Sequence, residues 1–258
     1  MLRSGRTRAV AAAVALLLAA VPAGGASDGS PAVARVAGLG LPLYCGGPNG
    51  RAVALTFDDG PGPYTALVLR LLRRAGAGAT FFLVGKELSR WPGMPARELR
   101  LGALGDHTWS HLMLTLLNAG VVRRELASTK LAIERKTHAP VQLFRPPYGA
   151  HDRTVDTVAR SLGLLEVLWS IDSRDSEGAP WYQIAANVER RLRAGSIVLM
   201  HENRGQTVRA LNERILPYLR AHNLYAVGIP ELLRVDPPSR KLLAAGLVGC
   251  LRLAASRQ

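Results

Sequence analysis

The sequence predicts an α/β fold in which repeated β/α units close a parallel sheet toward a barrel. Three observations carry this. Apolar runs alternate with longer amphipathic stretches, the pattern of an α/β chain. Two wholly apolar strands flank one amphipathic helix, which makes a βαβ unit and implies parallel pairing. Potentially reactive side chains recur just after strand ends, where a parallel barrel gathers its functional loops.

The 258 residues suffice for one substantial domain. Arg3, Arg6 and Arg8, the apolar run Ala9–Ala20 and the small residues up to Ala26 read as an export signal over residues 1–26. The run is short for a membrane span. Residues 27–48 are rich in Ala, Gly and Pro and read as a poorly ordered linker. A catalytic domain is expected over 49–236 and a C-terminal tail over 237–258.

Within the domain, Ala52–Phe57 reads as a buried strand ended by the turn Asp58-Asp59-Gly60-Pro61. Tyr64–Ala75 places Leu67, Val68, Leu71 and Leu72 on one helix face, and Gly76 stops it. Ala79–Val84 is a second buried strand. A helix is expected over 121–136, a short strand over 141–144 and a helix over 153–162. Then follow a strand over 164–171, a helix over 184–193 and a strand over 196–200 that ends at His201. A helix over 208–221, a strand over 224–227 and a short helix over 230–233 complete the series.

The formal charge is +14, and still +11 without Arg3, Arg6 and Arg8. The basic residues are scattered, with no basic run and no aromatic stacking series, which argues against a nucleic-acid partner. An anionic cell wall is the more natural partner of an exported cation. Cys45 and Cys250 lie near opposite ends of the mature chain. Outside the cell a disulfide between them is expected.

His107 and His111 stand four apart. On a helical turn they would share a face and hold one metal ion. A carboxylate from the first loop would complete a His-His-Asp set with open positions, the pattern of a hydrolytic metal site, usually zinc. That gives the two aspartates separate tasks: one ligates the metal, and the other takes a proton from an attacking water. The bland alternative is an Asp-Gly-Pro turn with one surplus acid. Arg145 opens a stiff Arg-Pro-Pro-Tyr-Gly segment that can hold a guanidinium beside a carboxylate. Asp172 and His201 each follow a strand directly and can pair, the carboxylate charging the imidazole for use as a general acid. His138, His151 and His222 read as solvated or structural, with His151 near enough to Tyr148-Gly149 to be a candidate for the cleft.

Taken in order, Thr56–Pro61, His107–His111, Arg145–Gly149, Trp169–Asp172 and Leu199–His201 resemble the motifs of the NodB-type polysaccharide deacetylases, carbohydrate esterase family four. The resemblance spans about residues 50 to 235. It implies a distorted (β/α) barrel of about seven parallel strands and a divalent metal, most often zinc. Asp59, His107 and His111 would be ligands and Asp58 the general base, positioned by Arg145. The Tyr148 backbone N–H would face the oxyanion, and Asp172 would tune His201, the general acid. The implied reaction removes N-acetyl groups from N-acetylglucosamine polymers such as peptidoglycan or chitin oligomers. An O-acetyl esterase of xylan type and a catalytically silent wall-binding protein are the alternatives. A secreted or wall-associated monomer is expected. Ser176 and Glu202 depart from the family's usual Trp and Asp and bear on substrate choice.

Overall fold

The computed structural model describes residues 29–255, with side chains through residue 252. The predicted export signal lies outside the described residues. Helix α1 (Pro31–Ala37) comes first, capped by the Ser30 hydroxyl. Strand β1 (Ala52–Gly60), helix α2 (Thr65–Ala75) and strand β2 (Ala79–Leu83) form the expected βαβ unit. Next come α3 (Met94–Leu99), β3 (Gly102–Asp106), α4 (Ala119–Thr137), β4 (Leu143–Phe144), α5 (Arg153–Ser161), β5 (Leu165–Glu166) and β6 (Ile171–Asp172). Then α6 (Trp181–Glu189), β7 (Ile197–His201), α7 (Gly205–Ala210), α8 (Leu216–Ala221), β8 (Tyr225–Val227), α9 (Ile229–Val235), α10 (Arg240–Ala244) and α11 (Gly246–Ala255) follow. A π-helical turn, Leu211–Ile215, joins α7 to α8.

All the strand pairs are parallel, in the order β5-β4-β3-β2-β1-β7-β6, and β8 pairs the start of β1. Seven strands in one parallel path, with β8 added beside β1, match the distorted barrel of about seven parallel strands that the motifs implied. β5 and β6 do not pair with each other. The gap is spanned by the segment before β1: Leu43 bridges Val167 and Cys45 bridges Ser196.

Side-chain alternation along β1 divides the core in two. Val53, Leu55 and Phe57 pack outward with Val68, Leu69 and Leu72 of α2. Ala52 and Ala54 face inward, with Phe82, Leu165, Val167 and Ile197. Helices α1 and α9 plug that interior through Val33, Val36, Ile229 and Leu232. Residues 29–48 are therefore not the poorly ordered linker that their composition suggested: Val33 and Leu43 are fully buried.

Two further expectations change. The predicted strand over 164–171 is two short strands, because the carbonyls of Val167 and Leu168 between them accept from Arg145 instead of from a neighbouring strand. β3 was not foreseen, since Gly-Ala-Leu-Gly-Asp lacks the β-branched residues that mark strands. Gly105 is required there because a Cβ would lie 2.4 Å from the Phe82 ring.

The C-terminal residues are tied down rather than trailing. Cys45 and Cys250 are bonded across a separation of 205 residues, and Arg193 donates to the Cys250 carbonyl. Chain-entropy arithmetic for a loop of that length gives about 5 kcal/mol of stabilisation. The Cys45→Ser/Cys250→Ser variant is accordingly expected to melt roughly 10 °C or more below the oxidised wild type. Thermal unfolding followed by circular dichroism checks this. Among the described residues no helix is long and apolar enough to cross a membrane.

Candidate metal centre and catalytic site

The paired aspartates owe their placement to a break in strand geometry. On a regular strand, Asp58 and Asp59 would point to opposite faces. Asp58 keeps the inward orientation of Ala54 and Thr56. Asp59 adopts a left-handed backbone, φ 66°, and the register of β1 against β2 shifts between Phe57 and Gly60. The bulge re-aims the second carboxylate, so both acids face the histidines. Asp59 Oδ1 lies 3.3 Å from His111 Nε2 and 3.7 Å from His107 Nε2. Asp58 Oδ2 is 3.7 Å from His107 Nε2. Gly60 follows because Glu202 packs against it, leaving no room for a Cβ.

The two histidines do not sit on a helical turn as their spacing suggested. They follow β3 in a loop where Thr108 and His111 are left-handed, φ 65° and 59°. Asp106 Oδ1 accepts from the Thr108 N–H at 2.7 Å, and Glu125 of α4 accepts from the Ser110 N–H at 2.7 Å. These fixings let residues four apart converge without a helix. Asp106 and Glu125 were not singled out in the sequence. Asp106, directly before His107, carries a local signal, an acid able to bond backbone N–H groups just ahead; Glu125 reaches the loop from α4 and has none.

His107 is buried, and its Nδ1 lies 2.7 Å from the Arg145 carbonyl. A carbonyl only accepts, so Nδ1 carries the hydrogen and Nε2 keeps its lone pair toward Asp59. Burial holds the imidazole pKa below its usual value, against the pull of Asp58 and Asp59. Ligand atoms about 2 Å from a tetrahedral zinc lie about 3.3 Å from one another. The Asp59–His111 and Asp59–His107 separations sit close to that spacing. Asp59, His107 and His111 therefore fit a divalent metal ion by donor type, tautomer and distance.

Arg145 is fully buried. Nη1 donates to Asp58 Oδ1 and to Thr56 Oγ1, both at 2.8 Å. Nε and Nη2 donate to the carbonyls of Val167 and Leu168. The Phe82 ring lies 4.2 Å below the guanidinium. Asp58 Oδ1 is thus fixed, and Oδ2 is left toward the metal cluster. Tyr148 has φ 63° and its ring meets His111 edge-on at 4.9 Å, which places the Tyr148 turn at the metal ligands.

His201 lies at the end of β7, in register with Asp58 on the adjacent β1, but its partner is not Asp172. Asp175 Oδ1 is 2.7 Å from His201 Nδ1, and Asp175 Oδ2 accepts from the His201 backbone N–H at 2.7 Å. Thr207 Oγ1 donates to the same Asp175 Oδ2 at 2.5 Å. Asp172 is exposed and accepts from the Arg174 N–H at 2.8 Å. That turn holds Arg174 left-handed, φ 58°, and swings the chain so that Asp175 reaches back under His201. Asp172 shapes the turn; Asp175 makes the pair. Burial lowers the His201 pKa, but the Asp175 hydrogen bond and charge, with Asp58 and Asp59, outweigh it and raise the value to about 9. Burial pushes the Asp175 carboxyl up, yet its bonds to His201 and Thr207 leave it below its usual value.

Beside the metal cluster lies a cleft of about 570 Å³, bordered by Asp59, Pro61, Trp91, His111 and Asn203. Lys86 and Arg90 stand at its edge. Asn203 donates to Asp59 Oδ2 at 3.3 Å. Glu202, one residue after His201, is fully buried; Thr65 donates to it at 2.5 Å, and burial raises its pKa to about 8. His138 and His222 cap helix ends away from the cluster, and His151 pairs with Asp156. Trp181, the nearest downstream tryptophan, stacks under Arg209 at 4.5 Å.

Comparison with known proteins gives four relevant matches. The sequence profile described as polysaccharide deacetylase matches residues 46–167. A peptidoglycan-N-acetylglucosamine deacetylase of Bacillus cereus is 37% identical over 193 residues, covering 72% of this chain and 90% of that protein. A bifunctional xylanase/xylan deacetylase of Cellvibrio japonicus is 33% identical over 193 residues, covering 74% of this chain and 28% of that protein. The solved structure of a CE4 family pseudoenzyme from Bacillus anthracis aligns with a TM-score of 0.70 at 28% identity, covering 74% of this chain and 68% of the other.

Proposed function

Because this chain belongs to the polysaccharide deacetylase family, we propose that it is an exported, metal-dependent N-deacetylase of N-acetylglucosamine polymers, with peptidoglycan the favoured substrate. The observation that carries the reading is the division of charge among the strand-end side chains around the metal cluster. Asp58 is held by Arg145, Asp59 faces two histidines, and a charged His201 stands beside Asp58 on the neighbouring strand with its own carboxylate.

Asp59, His107 and His111 would hold the ion, zinc by donor type. When bound, it would act as a Lewis acid on the acetyl carbonyl. Asp58 takes the proton of the attacking water at Oδ2, since Oδ1 is committed to Arg145. The Tyr148 backbone N–H donates to the oxyanion as the carbonyl becomes tetrahedral. His201, protonated at neutral pH, delivers its Nε2 proton to the departing sugar amine, while Asp175 holds Nδ1. Acetate and the free amine leave.

Peptidoglycan is favoured by charge. Lys86 at the cleft edge, and the net charge of +11 that remains without Arg3, Arg6 and Arg8, complement a polymer that carries carboxylates, while Arg90 there is paired with Glu87. The Bacillus cereus relative supports the same choice by its name. The xylan deacetylase relative keeps the O-acetyl ester as the second reading. Acetate release measured side by side on peptidoglycan, chitin oligomers and acetyl-xylan tests the choice. Fastest release is expected from peptidoglycan; release from acetyl-xylan alone would replace the amide reading with the ester one.

A further inference from the structure

A second cluster of ligand-type side chains lies behind the Tyr148 turn. His151 directly follows that turn, Asp156 is in the first turn of α5, and Glu166 ends β5. One donor atom from each falls within 4.8 Å of the other two. His151 Nδ1 is 3.0 Å from Asp156 Oδ1 and 3.2 Å from Glu166 Oε1. Those spacings are close to the separation of about 3.3 Å between ligands around a tetrahedral zinc.

Glu166 is the independent indication. It is only 6% exposed, and among the described residues neither of its carboxyl oxygens takes a hydrogen bond. His151 Nδ1 can donate at most one hydrogen and lies nearer Asp156 Oδ1 than Glu166 Oε1. No lysine or arginine among the described residues pairs with either carboxylate. Arg160 borders the same space, but its guanidinium donates to the Gly40 carbonyl. A cavity of about 20 Å³ opens beside the two acids, bordered by Pro42, Asp156 and Glu166 but not by His151.

We propose that His151, Asp156 and Glu166 form a second divalent-metal site, suited to Zn²⁺ or an ion of its class, that fastens the Tyr148 turn and α5 to the end of β5. One imidazole with two carboxylates matches borderline ions such as zinc better than magnesium or calcium. Ion binding at Nδ1 requires the neutral imidazole to carry its hydrogen on Nε2, a tautomer change that releases no proton. A proton held on Glu166 would leave to solvent as the ion binds. The alternative for so buried an acid is neutrality. Burial, with the nearby Asp156 charge, raises the Glu166 pKa to about 9. A bound cation would remove that cost and leave both acids ionised.

The test is zinc content by mass spectrometry of the whole chain, after equilibration in zinc-buffered solution at neutral pH. Two ions per chain are expected for the wild type, one for Glu166→Gln, and one for His107→Ala/His111→Ala. The last variant separates this site from the proposed catalytic metal. In that background Zn²⁺ is expected to raise the melting temperature, and adding Glu166→Gln to abolish the rise. This second readout uses an isosteric change, so a general folding defect is visible as a lower melting point without zinc. A wild type that holds one ion, lost entirely in His107→Ala/His111→Ala, overturns the proposal. So does a melting temperature in that background that zinc does not move.

Discussion

Asp175→Asn is expected to lower kcat by about 10²- to 10⁴-fold, the usual contribution of a positioned acid–base group. His201 is a useful acid at neutral pH because Asp175 charges it. Asp175 accepts from the ring at 2.7 Å and from the backbone N–H of the same residue at 2.7 Å. Asparagine keeps the shape but removes the negative charge and offers an NH₂ group where an acceptor is needed. The imidazole pKa then falls from about 9, because the burial that lowers it remains and the largest opposing influence is gone. The alkaline limb of the rate profile should move toward lower pH in the variant. Stability follows the same sign. A histidine raised from 6.5 to about 9 contributes stability that is complete below pH 6.5 and is lost as pH rises through about 9. The wild type should show that loss, and Asp175→Asn should show much less of it. Asp172→Asn is the control. An asparagine oxygen can still accept from the Arg174 N–H, so its rate and pH profile should stay near wild type.

Arg145→Ala is expected to cost about 3–5 kcal/mol of folding stability, the penalty for leaving one partner of a buried ion pair alone. Asp58, 3% exposed, would lose its charged partner. Thr56 Oγ1 and the Val167 and Leu168 carbonyls would lose donors as well. Deacetylation should fall further than stability alone accounts for, since Asp58 is then free to rotate. Arg145→Lys keeps the charge but lacks the planar fork that reaches Asp58, Thr56 and two carbonyls at once. It should recover part of the stability and little of the rate. Urea unfolding and steady-state acetate release on the same preparations separate the two effects.

The readability of this chain from sequence was uneven for physical reasons. β1, β2 and β7 announce themselves because they are buried on both faces and carry continuous apolar runs. β3 does not, since glycine makes it fit against Phe82. The helix α1 and the Leu43 bridge were hidden by an Ala-, Gly- and Pro-rich composition that resembles a linker. Among site residues, Asp58, Asp59, His107, His111, Arg145 and His201 could be selected by residue type and position after strands, and the structure brings them together. The spacing of His107 and His111 was accounted for by a helix, whereas left-handed residues achieve it. Asp175 was missed because pairing depends on the left-handed turn at Arg174. Asp172, closer to the strand end, was the simpler choice from spacing alone. Local periodicity carries no information about single residues with positive φ, and these decide the site.

A relative described as a pseudoenzyme shares this fold, so activity rests on the side chains and not on the architecture. The most direct measurement is acetate release from N-acetylated chito-oligomers with added zinc, by the wild type and by Asp58→Asn. The asparagine oxygen can still accept from Arg145, and zinc content and melting temperature confirm that the variant is folded and loaded. The account predicts steady release by the wild type and a loss of about 10²-fold or more in the variant. Equal release by the two proteins, or none by a zinc-loaded wild type on any acetylated polymer, would contradict it.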